Sequence, residues 1–268
     1  MGLKFAANIS LMFKELANMT DRYGEAAWRG FAAVECQFPY DVPIEDMVRA
    51  KHDAGLEHVL INSFQGENYG DLGLACQPSK HAEFRKSLEI SIRYAKALNC
   101  KKVHIMAGCP QAGYTSAETE AAYIKNLCYA ASQFEKEGLM GLIEPLCKQT
   151  REDYFLQSYD KAVEYVRRIN SRNIRIMLDV FHLQMLHGNL SANISSLARY
   201  VGHVQISQAP KRSEPGSPGE IDYLYVLDIL DELGYRDYIG LEYVPSGRTE
   251  DSLKFLKDWG YMPDVKID

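Results

Sequence analysis

The stretch IRIMLDV at 174–180, followed by Phe181-His182, is apolar on both faces over Ile176-Met177-Leu178 and then closes on an acid, Asp179. Successive side chains of a strand point to opposite faces, so consecutive apolar residues mark a strand covered on both sides, as in parallel sheets. Seven more runs share the pattern: LKFAANI at 3–9, FAAVECQ at 31–37, LEHVLIN at 56–62, KKVHIMA at 101–107, LMGLIEP at 139–145, VGHVQIS at 201–207 and DYIGLEY at 237–243. Between them the spacing turns helical, as where Phe84, Leu88, Ile92, Ala95 and Leu98 recur every three or four residues. Eight strand–helix units with right-handed parallel connections close into an α/β fold, the (β/α)8 TIM barrel. Gly30, Gly55, Gly138 and Gly234 stand shortly before strands, where a helix end takes a left-handed residue. An open, doubly wound sheet would carry a Gly-rich turn after its first strand, and Asn8-Ile9-Ser10-Leu11-Met12 has none. The reading is a single barrel domain at 1–260 and a loose or partner-contacting tail at 261–268 that contains Pro263.

A chain of 268 residues suits one such barrel. A formal charge of −6 gives no electrostatic footprint for nucleic acid, and no apolar run has the length of a membrane span. The six cysteines form no C-x-x-C pair and the start MGLKFAANIS lacks a basic and then apolar leader, so a reduced, cytoplasmic protein is expected. The expected partner is a small-molecule substrate, with association of identical chains left open.

Barrel enzymes build their sites at the carboxyl ends of the strands. There the chain places Asn8, Glu35, Asn62, Glu144, Asp179, Gln205 and Glu242. A buried acid costs several kcal/mol unless it is paired, hydrogen-bonded or bound to a metal. Glu35 and Asn8 read as locally paired structural groups. Glu144, Asp179, Gln205 and Glu242, on four consecutive strand ends, offer four hard oxygens and a charge of −3, the chemistry of Mg2+ or Mn2+. His182, three residues beyond Asp179, is expected to contact substrate or support the site. His104 divides evenly between core and pocket, and His203, on the same strand face as Gln205, reads as support. The Gly- and Pro-rich segment 207–220 is a loop bordering the mouth, where Lys211 or Arg212 could take a substrate carboxylate; Asn62 is a further candidate substrate contact.

These motifs resemble the hydroxypyruvate isomerases of the xylose isomerase-like barrel superfamily. The matching pieces are Phe5-Ala6-Ala7-Asn8, Ala33-Val34-Glu35 with Phe38-Pro39-Tyr40, Ile143-Glu144-Pro145, Leu178-Asp179 with Phe181-His182, Gly202-His203-Val204-Gln205, Glu214-Pro215-Gly216 with Pro218-Gly219-Glu220, and Gly240-Leu241-Glu242-Tyr243. The resemblance implies a metal site at Glu144, Asp179, Gln205 and Glu242, with the two glutamates as acid and base. It implies interconversion of hydroxypyruvate and tartronate semialdehyde, without nicotinamide or flavin. Leu146-Cys147-Lys148 departs from the Ile-Asn that relatives carry after Glu-Pro, which puts substrate preference in doubt. Rival readings are an isomerase or epimerase of a longer ketose, an endonuclease IV-like repair enzyme with several histidine-bound zinc ions, and an inactive barrel used for binding.

Overall fold

A computed structural model describes residues 2–66, 72–262 and 264–267. Its strands close a barrel in chain order: β1 (Lys4–Asn8), β2 (Ala33–Cys36), β3 (Glu57–Asn62), β4 (Lys102–His104), β5 (Met140–Ile143), β6 (Ile174–Asp179), β7 (Val201–Ile206) and β8 (Tyr238–Leu241). Helices follow them: α1 (Met19–Trp28), α2 (Ile44–Ala54), α3 (His81–Ala97), α4 (Ser116–Glu137), α5 (Tyr159–Ile169), α6 (Val180–Leu186), α7 (Leu190–Leu197), α8 (Tyr223–Glu232), and the short α9 (Thr249–Ser252) and α10 (Lys254–Asp258). Parallel registers set Asn8 beside Glu35 and Gln205 beside Gly240.

Local chemistry explains the boundaries. Gly55 and Gly138 end α2 and α4 in the left-handed conformation, at φ 68° and 66°. Thr115 opens α4 with a reciprocal capping box to Glu118, a contribution of about 1 kcal/mol. The strand expected over 101–107 stops at His104, and Ala107 instead makes an antiparallel bridge to Gly73.

Two compact units divide the chain, one comprising Met1–Val59, Leu178–Arg199 and His203–Asp268, the other Leu60–Met177 and Tyr200–Gly202. The first packs Ala6, Ala33, Val59 and Tyr238 into a buried cluster. The second packs Leu60, Leu142 and Met177, with Met140 against them. The divisions at 59/60 and 177/178 fall inside β3 and β6.

The tail is not loose. Val265 is buried, Arg29 Nη1 donates to the Lys266 carbonyl at 3.1 Å, and the Lys266 ammonium lies 3.2 Å from the centre of the Trp28 ring. A cation over an indole face and a captured carbonyl leave no periodic signal in sequence. Pro263 and Asp268 lie outside the described residues. Among the described residues no helix is long and apolar enough to cross a membrane.

Candidate active site

Glu35, expected to be a locally paired acid, is the hub of the first unit. Its Oε1 accepts from Asn8 Nδ2 at 2.9 Å and from Gln205 Nε2 at 2.7 Å, and its Oε2 faces His203 Nε2 at 2.8 Å. Strand alternation explains the last two, because His203 and Gln205 sit two apart on β7 and share a face. Space for the carboxylate comes from Gly240, where a Cβ would collide with it. The carboxylate only accepts, so Gln205 must turn its NH2 toward Glu35. Its Oε1 is left buried with no hydrogen-bond partner among the described residues.

Asp179 ends β6 and caps α6, Oδ1 accepting from the Phe181 amide at 2.8 Å, so the strand passes directly into the helix that carries His182. Asp179 Oδ2 accepts from Arg212 Nη2 at 2.8 Å, and the same Nη2 donates to Glu242 Oε2 at 2.6 Å. The other Glu242 oxygen accepts from Gln37 Nε2 at 2.7 Å. Arg212 Nη1 lies 3.3 Å from His182 Nε2, and its guanidinium stacks 4.8 Å from the Phe181 ring. A guanidinium can only donate, so His182 Nε2 is an acceptor and that ring is neutral. Its 3.7 Å approach to Asp179 Oδ2 is therefore not an ion pair. Burial pushes the Glu242 carboxyl up to about 8, with Asp179 and Glu35 adding to the rise while Arg212 and the Gln37 bond oppose it. That places a carboxyl in the range where it can both take and return a proton near neutrality.

The loop expected to border the mouth delivers Arg212 from a fixed base. The buried Gln208 side chain donates to the carbonyls of Pro215, Ser217 and Ile221 and accepts from the Ile221 amide. The Arg212 carbonyl accepts from Val244, just past β8, at 2.8 Å, and Arg212 itself is left-handed at φ 54°. Lys211 next to it is exposed.

In the second unit Glu144 follows β5 and is buried, with His104 Nδ1 3.7 Å from its Oε2. Burial pushes His104 down to about 3, so the ring is neutral and this contact too is no ion pair. Neither ring nitrogen has a hydrogen-bond partner among the described residues. Asn62 is buried at the end of β3, in register with His104. Cys147 is buried, 3.5 Å from the Thr150 hydroxyl, and Lys148 is exposed.

Sequence reading missed Gln37 and the reach of Glu35. Alternation from Glu35 could have found Gln37, two residues on and at the same strand end. The donor set in the first unit suits a hard divalent ion. The Gln205 oxygen is held with nothing to accept from, and one oxygen each of Asp179 and Glu242 already converge on a single cationic nitrogen.

An eight-stranded parallel barrel with polar residues at its strand ends is the architecture of a barrel enzyme. Residues 24–259 match the xylose isomerase-like TIM barrel family. The chain is 37% identical over 257 residues to the 2-oxo-tetronate isomerase of Haemophilus influenzae, covering 96% of this chain and 99% of that one. It is 35% identical over 255 residues to the hydroxypyruvate isomerase of Escherichia coli, covering 95% and 98%. A crystal structure from Brucella melitensis titled AP endonuclease, family 2, superposes with a TM-score of 0.92 at 35% identity, covering 96% of this chain and 99% of that one. The chain belongs to the hydroxypyruvate isomerase family of xylose isomerase-like TIM barrels, and it is an isomerase.

Proposed function

We propose that this isomerase moves a carbonyl between adjacent carbons of a short 2-oxo acid, interconverting hydroxypyruvate and 2-hydroxy-3-oxopropanoate (tartronate semialdehyde). The observation that carries the reading is Arg212, an inward cation on a pinned loop beside Asp179, Glu242 and neutral His182. A fork of N–H donors at that place suits a substrate carboxylate, which an uncharged ketose lacks.

Asp179, Gln205 and Glu242, together with Glu144, would hold Mg2+ or Mn2+, which would supply charge stabilisation to the substrate oxygens. Of Glu144 and Glu242, one takes the proton from C3 of hydroxypyruvate and the other delivers a proton to C2. The C3 hydroxyl gives up its proton as its oxygen becomes the carbonyl, and the C2 oxygen takes up a proton as it becomes the hydroxyl, so protons and electrons balance and no redox partner is consumed. His182 and Asn62 are the candidate substrate contacts; Lys211, being exposed, contributes long-range charge at most. The endonuclease title of the Brucella structure does not transfer well to a chain of charge −6 whose candidate ligands are oxygens rather than a histidine cluster.

The test is turnover with Mn2+ or Mg2+ on hydroxypyruvate, on 2-oxo-tetronate and on uncharged ketoses. Conversion of a 2-oxo acid at least tenfold faster in kcat/KM than any ketose is expected. Preference for an uncharged ketose, or activity on abasic DNA alone, would overturn the reading.

A further inference from the structure

We propose that Glu35 is a positioning residue: its carboxylate fixes the Gln205 side-chain amide so that the oxygen, and not the NH2 group, is presented to the divalent cation of the proposed reaction. The inference rests on that reading of the site and adds to it a group that touches neither cation nor substrate.

A side-chain amide has two ends of nearly equal shape and opposite hydrogen-bonding character, so rotation by half a turn would offer a cation two N–H donors instead of an oxygen. Glu35 blocks that rotation. Gln205 Nε2 donates to Glu35 Oε1 at 2.7 Å, and a turned amide would set oxygen against a carboxylate oxygen at the same distance. Loss of a charge-assisted hydrogen bond and its replacement by repulsion disfavour the turned form strongly.

Glu35 can only do this if it is itself immobile, and three contacts make it so. Asn8 Nδ2 shares Oε1, His203 Nε2 holds Oε2, and the β1–β2 register sets Asn8 beside Glu35. Asn8 is oriented in turn by the Ser10 amide, which donates to its Oδ1 at 3.1 Å. The bare Cα of Gly240, in register with Gln205, leaves the room the carboxylate needs. Three donors converge on Glu35, and only a carboxylate accepts from all three. The result is visible at the far end, where Gln205 Oε1 is buried without a partner among the described residues. Leaving that oxygen unsatisfied costs about 1–3 kcal/mol, which a bound cation would offset.

The test uses the full chain and Mn2+, whose binding is followed by the loss of the free-ion paramagnetic resonance signal, alongside the thermal midpoint without metal. Glu35→Leu, which removes every acceptor, should weaken Mn2+ binding about 10- to 100-fold. Glu35→Gln keeps one acceptor oxygen and should fall between Glu35→Leu and the parent. Mn2+ affinity within twofold of the parent in both variants, with only the midpoint lowered, overturns the proposal and leaves Glu35 a folding residue. If Glu35→Leu does not fold, Glu35→Gln decides alone: weakening of threefold or more at an unchanged midpoint supports the proposal, and parental affinity rejects it. A parent that takes up neither Mn2+ nor Mg2+ rejects the metal reading and this inference together, whereas a binding parent with unaffected variants rejects this inference only.

Discussion

Burial without a hydrogen-bond partner holds His104 neutral, and that has a measurable cost in acid. Its folded pKa is depressed to about 3 from 6.5, so above pH 6.5 both folded and unfolded chains carry it uncharged and it costs nothing. As the pH falls below 6.5 the unfolded chain takes up the proton and the folded chain does not, so stability is lost across the window down to about 3. Between pH 6.5 and pH 5 this amounts to roughly 2 kcal/mol. Urea unfolding of metal-free parent and His104→Asn should show the parent losing that much more over the same interval. Parallel losses would mean that the folded ring titrates near its ordinary value. Sequence left this residue divided between core and pocket because a histidine inside a strand reads the same either way; only its unpartnered nitrogens separate the cases. The cysteines were easier. Cys128 is exposed and the other five are buried, Cys36 with its thiol pushed up to about 11 by burial. Since the thiolate is the reactive form, one thiol per native chain should react rapidly with an aromatic disulfide at pH 8 and six after denaturation. Cys128→Ser should abolish the fast phase; a fast phase that survives it would place a second thiol within reach.

Among the elements, the loop at 207–220 shows what a composition signal omits. Its glycines and prolines announce a loop, and two adjacent cations, Lys211 and Arg212, offer themselves equally. What separates them is backbone: Gln208 pins the loop from inside, Val244 holds the Arg212 carbonyl, and a left-handed φ of 54° turns Arg212 inward while Lys211 is exposed. A hydrogen bond to a charged group contributes about 1.5–3 kcal/mol. Arg212→Met is therefore expected to raise KM for hydroxypyruvate roughly 10- to 100-fold, while Lys211→Met stays within about twofold. The same Arg212→Met should leave Mn2+ binding as tight as the parent's or tighter, because a competing cation has left Asp179 and Glu242. Equal effects of the two substitutions would return the loop to a general positive field with no clamp. β2 teaches the converse lesson. Its four residues are all buried, so nothing in the pattern AVEC tells a structural acid from a hub, and the decisive neighbours, His203 and Gln205, lie 168 and 170 residues away.

For the molecule as a whole, the barrel was legible because each strand is a short apolar run and each gap is long enough for a helix, a pattern that survives errors of two or three residues at any boundary. The tail was not, since its anchors are one buried valine, hydrogen bonds between the Lys266 backbone and Arg29, and one ammonium over a ring, none of which leaves a periodic pattern. The candidate ligands were legible as strand-end acids, but their couplings were not, and those couplings decide whether a ligand residue is also a structural one. Asp179 poses that question most sharply, because one oxygen caps α6 and the other meets Arg212. Asp179→Asn keeps Oδ1 as the acceptor for the Phe181 amide and leaves Arg212 its contact with Glu242, so the metal-free fold should lose only about 1–2 kcal/mol. A ligand that binds only the folded state stabilises it by about 2.7 kcal/mol at a hundredfold excess over Kd, which for a chain of this size raises the midpoint by roughly 5–10 °C. The parent should show that rise with Mn2+, and Asp179→Asn should lose most of it while its metal-free midpoint moves by no more than a few degrees. The difference between the two increments, rather than either midpoint, carries the assignment, because it cancels whatever the substitution does to the fold itself. Should Asp179→Asn keep the full Mn2+ increment, the residue is a helix cap and Arg212 partner, and the candidate ligand set would have to be drawn without it.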